Sequence, residues 1–175
     1  MRTQGYEATG IPSREELASF PGRPSEERMR KGRVAVVECL QEIPCNPCEP
    51  ACRFGAIKIG ENITALPCLD EELCTGCGQC VPQCPGLAIF IVNKAYSDTE
   101  ATIDFPYEYL PLPNKGDTVE AVDRGGRTVC PGRVVRVTDL PANGGTNVVC
   151  LAVPKQYADE VRGMKRLPRA GKGGR

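Results

Sequence analysis

Histidine and tryptophan are both absent from these 175 residues, and neither sign of charge is in excess: 22 basic side chains face 22 acidic ones. Without histidine the chain cannot build the common His-containing zinc sites or Rieske-type ligation, and it lacks the commonest general base. The balanced charge leaves no electrostatic footprint for nucleic acid or anionic lipid. No apolar run is long enough to cross a bilayer. Met1 to Gly10 hold no apolar segment of the kind a secretory leader needs. There is no nucleophile elbow, Walker loop or G-x-G-x-x-G, so no catalytic residue is assigned. The expectation is a cytoplasmic chain whose thiols serve metal rather than disulfides.

Cysteine is what the chain has in excess, with 11 residues. Cys74, Cys77, Cys80 and Cys84, followed by Pro85, form a C-x2-C-x2-C-x3-C-P run. This is the bacterial spacing for a [4Fe–4S] cluster, in which the first three thiolates bind one cubane and the fourth reaches another. The run therefore predicts a partner site elsewhere.

An internal repeat supplies it. Cys39-Leu40-Gln41-Glu42-Ile43-Pro44-Cys45-Asn46-Pro47-Cys48 and Cys68-Leu69-Asp70-Glu71-Glu72-Leu73-Cys74-Thr75-Gly76-Cys77 share the pattern C-L-x-E-x-x-C-x-x-C. Downstream, Cys52 to Ile59 resembles Cys84 to Ile91. In the crossed arrangement Cys52 joins Cys74, Cys77 and Cys80 at one site, and Cys84 joins Cys45 and Cys48 at the other. The second set is one ligand short, because Glu42 stands where Cys74 stands when the halves are aligned on Cys52 and Cys84. Cys39, nearer in sequence to the short loop, is the expected ligand for that place, Cys68 is the alternative, and a three-iron or two-iron centre is the remaining option. Cys130 and Cys150 fall in predicted strands with no C-x-x-C spacing and read as core thiols, or as a disulfide if their strands pair there.

The expected fold class is α+β. Residues 1–33 read as an extended arm, with Ser13 to Glu16 as a capping box and Ser25 as a second cap. Such an arm is either disordered or laid along a partner, and Ile11, Leu17 and Phe20 favour the partner, since apolar groups there have no evident core. Residues 34–96 read as a dicluster ferredoxin-like domain. Residues 97–165 read as a small β-barrel-like domain, from short β-branched runs separated by turn signals, ending in a helix from Lys155 to Met164. Residues 166–175 form a basic tail, read as solvated or as docking on an acidic surface.

Taken with Pro85 to Ile89, Tyr107 to Pro113 and Ala152 to Lys155, the two cysteine loops resemble the small iron–sulfur subunit of multisubunit FAD-dependent dehydrogenases of anaerobic bacteria. That resemblance implies two [4Fe–4S] clusters on this chain, with FAD, and optionally FMN or NAD(P), on partner flavoprotein subunits. The complexes are similar to opine, proline and hydrogen cyanide synthase dehydrogenases, acting on an amino acid, imino acid or related amine. The implied role is relay of single electrons between flavins or to an external acceptor, within a hetero-oligomer; the charge balance and the short apolar runs separately speak against nucleic acid and against a membrane span. Tyr107 to Pro113 then reads as interface material. Arg53 stands where a ferredoxin usually has a proline after the fourth cysteine. A free-standing dicluster ferredoxin and a structural zinc protein are the other readings.

Overall fold

The computed structural model describes residues 5–168. Three short helices open the chain: α1 (Tyr6–Thr9), α2 (Arg14–Ala18) and α3 (Glu26–Lys31). The capping box at α2 is complete, with Ser13 Oγ accepting from the Glu16 N–H and the Glu16 carboxylate accepting from the Ser13 N–H. Ser25 Oγ caps α3 by accepting the Arg28 N–H. Strand β1 (Val34–Val37) follows, then α4 (Cys48–Ala51), β2 (Ile57–Lys58), β3 (Cys68–Leu69), α5 (Cys80–Gln83) and β4 (Ile89–Asn93). The remainder is strand: β5 (Glu100–Tyr107), β6 (Thr118–Val122), β7 (Thr128–Thr138), β8 (Asn147–Pro154) and β9 (Gly163–Met164).

Seven strands form one antiparallel sheet in the order β1-β4-β5-β8-β7-β6-β9, and β2 pairs with β3 separately. The boundary expected between residues 96 and 97 falls in the turn of the β4–β5 hairpin, where Ile91 sits opposite Asp104. The sheet therefore runs without a break from the cysteine-rich half into the second half. Beyond β5 it curls until β9 comes close to β5.

Strands β1 and β4 are apolar at nearly every position because both of their faces are covered. Side chains alternate across a strand. Ala35, Val37, Ile89 and Ile91 face the cysteine loops, and Val34, Val36 and Val92 face Met29 and Ala158. The second half has its own core of Ile103, Phe105, Leu151, Val153 and their neighbours.

Two expectations change here. The arm, which the sequence lays along a partner, packs on the chain itself. Leu17 and Met29 are buried, Gly22 O accepts the Val37 N–H at 2.9 Å, and Pro21 O accepts the Leu69 N–H at 3.0 Å. A Cβ on Gly22 would meet Val37 O at 2.6 Å, so only glycine allows this approach. Arg23 and Lys94 then both reach the Asp159 carboxylate, joining arm, sheet and C-terminal segment. The helix expected from Lys155 to Met164 is also absent. A single 3₁₀ turn, Lys155–Tyr157, is followed by β9, where Gly163 pairs with Val122 and Met164 with Ala121. The periodic apolar residues Tyr157, Val161 and Met164 do face the core, but the ladder offered by β6 overrides the helical pattern. The basic tail lies outside the described residues beyond Pro168.

Cys130 and Cys150 are buried in β7 and β8, and the register sets Cys130 opposite Ala121 and Cys150 opposite Arg136. They are not cross-strand partners. Tyr107 is buried in the second core, whereas Tyr109 and Leu110 are 54% and 65% exposed.

Candidate metal centre

The two halves of the cysteine-rich region build the same local structure. In each, a loop enters a four-residue helix that begins with a cysteine, and a second cysteine ends it: Cys48 and Cys52 at α4, Cys80 and Cys84 at α5. Each helix is too short to persist alone. After each, the N–H four residues beyond the closing cysteine donates back to its sulfur: Ala56 to Cys52 Sγ at 3.3 Å, and Ala88 to Cys84 Sγ at 3.4 Å. Structure thus aligns Cys48 with Cys80. The C-L-x-E-x-x-C register, which matches Cys48 to Cys77, is not the structural one.

Two cavities lie between these loops and the β1–β4 face. One is walled by Cys52, Cys74, Cys77 and Cys80 with Ala35, Ile57 and Ile91. The other is walled by Cys39, Cys45, Cys48 and Cys84 with Val37, Ile59 and Ile89. Cys52 thus faces the sulfurs of the second loop and Cys84 those of the first. Cys68 is in neither wall. It sits in β3 opposite Lys58 with its side chain exposed.

The thiols show how these walls behave electrostatically. Burial, then the neighbouring Cys74, Cys77 and Cys52, pushes Cys80 up to about 12. Burial, then Cys84, Cys39 and Cys45, pushes Cys48 up to about 11. Cys39 moves up for the same reasons, burial first and Cys84 next. Four sulfurs gathered against an apolar wall ionise together only when a cationic group neutralises them. The residues present fit an iron–sulfur cubane: four thiols per cavity, aliphatic walls and backbone N–H donors on sulfur.

The loop of the second set is held by groups that carry no sequence signal. Arg28 donates to the carbonyls of Cys74 and Glu71, and Arg33 Nε donates to Gly76 O at 3.1 Å. Ala35 N–H donates to Cys74 Sγ at 3.4 Å. Gly76 has φ +64°, and a Cβ there would meet Arg33 O at 2.4 Å. Gly76→Ala is therefore expected to cost about 1–3 kcal/mol and to lower the iron bound by the loaded protein, read by iron analysis. Arg53 stacks over the Phe54 ring at 4.9 Å, and Phe54 edges the same cavity.

Beside the first set, Glu38 precedes Cys39. Its Oε2 accepts from Arg124 Nε at 2.6 Å, and its Oε1 accepts from Arg124 Nη2 at 2.6 Å and from Arg162 Nε at 2.8 Å. Burial alone would raise the Glu38 carboxyl, but the two guanidiniums outweigh it and hold it below the usual carboxylate range.

Comparison with known proteins meets this geometry at the regular half. Residues 67–90 match the family described as 4Fe-4S binding domain. They form a 4Fe–4S binding domain. This stretch contains Cys74, Cys77, Cys80 and Cys84, and it supports an iron–sulfur electron-transfer role. Over 64 residues the chain is 38% identical to Protein Pixie of Drosophila melanogaster, covering 33% of this chain and 10% of that protein. The chain thus spans about a tenth of the length of the curated relative it matches. No solved structure matches the chain. Among the described residues, no helix is long and apolar enough to cross a membrane.

Cys68 gives a simple check on the grouping. In cluster-loaded protein, iodoacetamide is expected to label Cys68 first, with the eight cavity cysteines protected. Peptide mapping that finds Cys39 labelled and Cys68 protected contradicts the grouping.

Proposed function

We propose that the chain carries two [4Fe–4S] clusters and relays single electrons as a subunit of a flavoprotein dehydrogenase complex. Cys39, Cys45, Cys48 and Cys84 hold the first cluster; Cys52, Cys74, Cys77 and Cys80 hold the second. The observation that carries this reading is the pair of four-thiol walls, each taking one cysteine from the opposite half. Bound clusters accept and donate one electron at a time. The chain's own residues hold the iron, exclude water with Val37, Ile57, Ile59 and Ile89, and set N–H donors on sulfur.

A structural zinc site is less well supported. Zinc sites use paired C-x2-C spacing, whereas Cys74, Cys77, Cys80 and Cys84 followed by Pro85 form the continuous run of an iron–sulfur cluster. A free-standing ferredoxin explains the clusters but leaves apolar side chains around both cavities uncovered. Exposed Ile43 and Ile63 near the first cavity, and Phe54 and Leu73 near the second, favour a chain covered at both ends by other subunits. The sequence resemblance points the same way, toward partners bearing FAD and a substrate that is an amino acid, imino acid or amine.

The test is anaerobic purification from the native host. The expected result is a brown chain with about eight iron atoms that elutes with a flavin-containing protein. A colourless zinc protein, or an iron–sulfur protein that elutes alone from fresh extract, contradicts the proposal at its first or its second part.

A further inference from the structure

The first cluster site has a weakness that the second does not. Its loop begins at Cys45, and the position equivalent to Cys74 is Glu42. The missing sulfur comes from Cys39, which lies outside any helix or strand just beyond β1. From the first loop the Gln41 backbone hydrogen-bonds its thiol, a contact two residues away that ties it to no other ligand. Its other side borders an open cleft lined by Tyr6, Leu87 and Tyr109. A thiolate there needs a fixed backbone if it is to complete a cubane.

Glu38 provides the anchor. Its N–H donates to Ala88 O at 2.8 Å, and the Ala88 N–H is the donor to Cys84 Sγ. The backbone beside Cys39 is thus tied to another ligand of the same cavity. The Glu38 side chain is tied to the second half by three charge-assisted hydrogen bonds from Arg124 and Arg162. Those guanidiniums are fixed in turn: Arg124 Nη1 donates to Asp159 O at 3.1 Å, and Arg162 Nη1 donates to Ala158 O at 3.0 Å and to Val161 O. Arg162 also lies over the Phe90 ring at 5.3 Å. The Glu38 and Arg162 side chains are 6% and 3% exposed, so water does not compete for these bonds. Arg124 leaves the β6–β7 turn and Arg162 directly precedes β9.

We propose that Glu38 is a positioning residue for Cys39, and that the second half serves the first cluster through Arg124 and Arg162. This rests on the reading of Cys39 as a ligand. It gives the residues after β5 a role within the chain: they hold in place the sulfur that the first loop lacks. Outer-shell groups of this kind typically change metal affinity by 10–100-fold when removed.

Glu38→Gln, Arg124→Lys and Cys39→Ser in the full chain test it, each loaded with iron and sulfide anaerobically. In Glu38→Gln and Arg124→Lys, one cluster is expected to release iron to a chelator at least about tenfold faster, while the other keeps the parent rate. In Glu38→Gln the midpoint potential of the labile cluster is expected to rise, because a negative charge beside it is gone, and the other potential stands. Unchanged release and unchanged potentials overturn the proposal, and so does equal acceleration at both clusters, which marks general loosening of the fold. If Glu38→Gln does not fold, Arg124→Lys decides by the same release rates. Cys39→Ser separates the two layers of the argument: if it retains two intact clusters, Cys39 is not a ligand, whatever the other variants do.

Discussion

Cys39→Ser is expected to halve the iron content, from about eight atoms per chain to about four, and Cys68→Ser to leave it unchanged. The two cysteines resemble each other in sequence. Each is followed by leucine and lies six residues before a cysteine loop. They differ in where the chain takes them. Cys68 lies in β3, whose two residues pair with β2 at the edge of the cysteine region, and its side chain faces out. Cys39 follows β1, whose Val37 forms part of the wall around the first cavity, and continues into that wall. Loss of the Cys39 sulfur leaves three thiols, one short of the four that a cubane takes. Serine keeps the size and removes the soft ligand that iron–sulfur clusters select. Iron and sulfide analysis with EPR of the reduced protein reads the outcome. Full iron in Cys39→Ser, or half in Cys68→Ser, reverses the assignment.

Removing the clusters is expected to unfold the cysteine loops and spare the second half. In cluster-free protein, amide exchange across residues 45–85 should accelerate about a thousandfold or more, on the order of 4 kcal/mol of local stability. The β5–β8 and β7–β8 ladders should keep their protection. The reason lies in how little else holds residues 45–85. Their elements are two helices of four residues and two strands of two residues, all below the length at which local hydrogen bonding sustains structure. The buried side chains that join them include Cys48, Cys80 and Cys84 themselves. The strands of the second half instead share a continuous apolar core, none of whose side chains lines either cysteine cavity. Hydrogen–deuterium exchange with mass spectrometry on loaded and chelated protein checks this. Uniform loss of protection across both halves contradicts it.

The regular half of the site is legible in sequence because ligand spacing within one loop is a local property. Cys74, Cys77 and Cys80 need only a tight turn, and the glycines mark it. The crossing of Cys52 and Cys84 follows from the repeat. Only nearness to the short loop favours Cys39 over Cys68 in the sequence, because the C-L-x-E-x-x-C register makes them equivalent while the helices α4 and α5 align the halves three residues differently. Glu38, Arg124 and Arg162 were equally hidden. They stand 86 and 124 residues apart along the chain, and only the closure of the second half brings them together. The short capped helices of the arm were read correctly from Ser13 and Ser25, but their destination was not. An apolar face such as that of Leu17 reports that something covers it, and here the cover is the chain's own sheet. The segment after Pro154 shows the opposite failure, in which helical periodicity placed the right side chains in the core while the backbone paired with β6.

A crystal structure of the anaerobically loaded chain, phased to show iron by its anomalous scattering, is the decisive test of the two-cluster assignment. Two iron peaks are expected, one enclosed by Cys39, Cys45, Cys48 and Cys84, the other by Cys52, Cys74, Cys77 and Cys80. A single peak, or Cys68 bound to iron in place of Cys39, would contradict it.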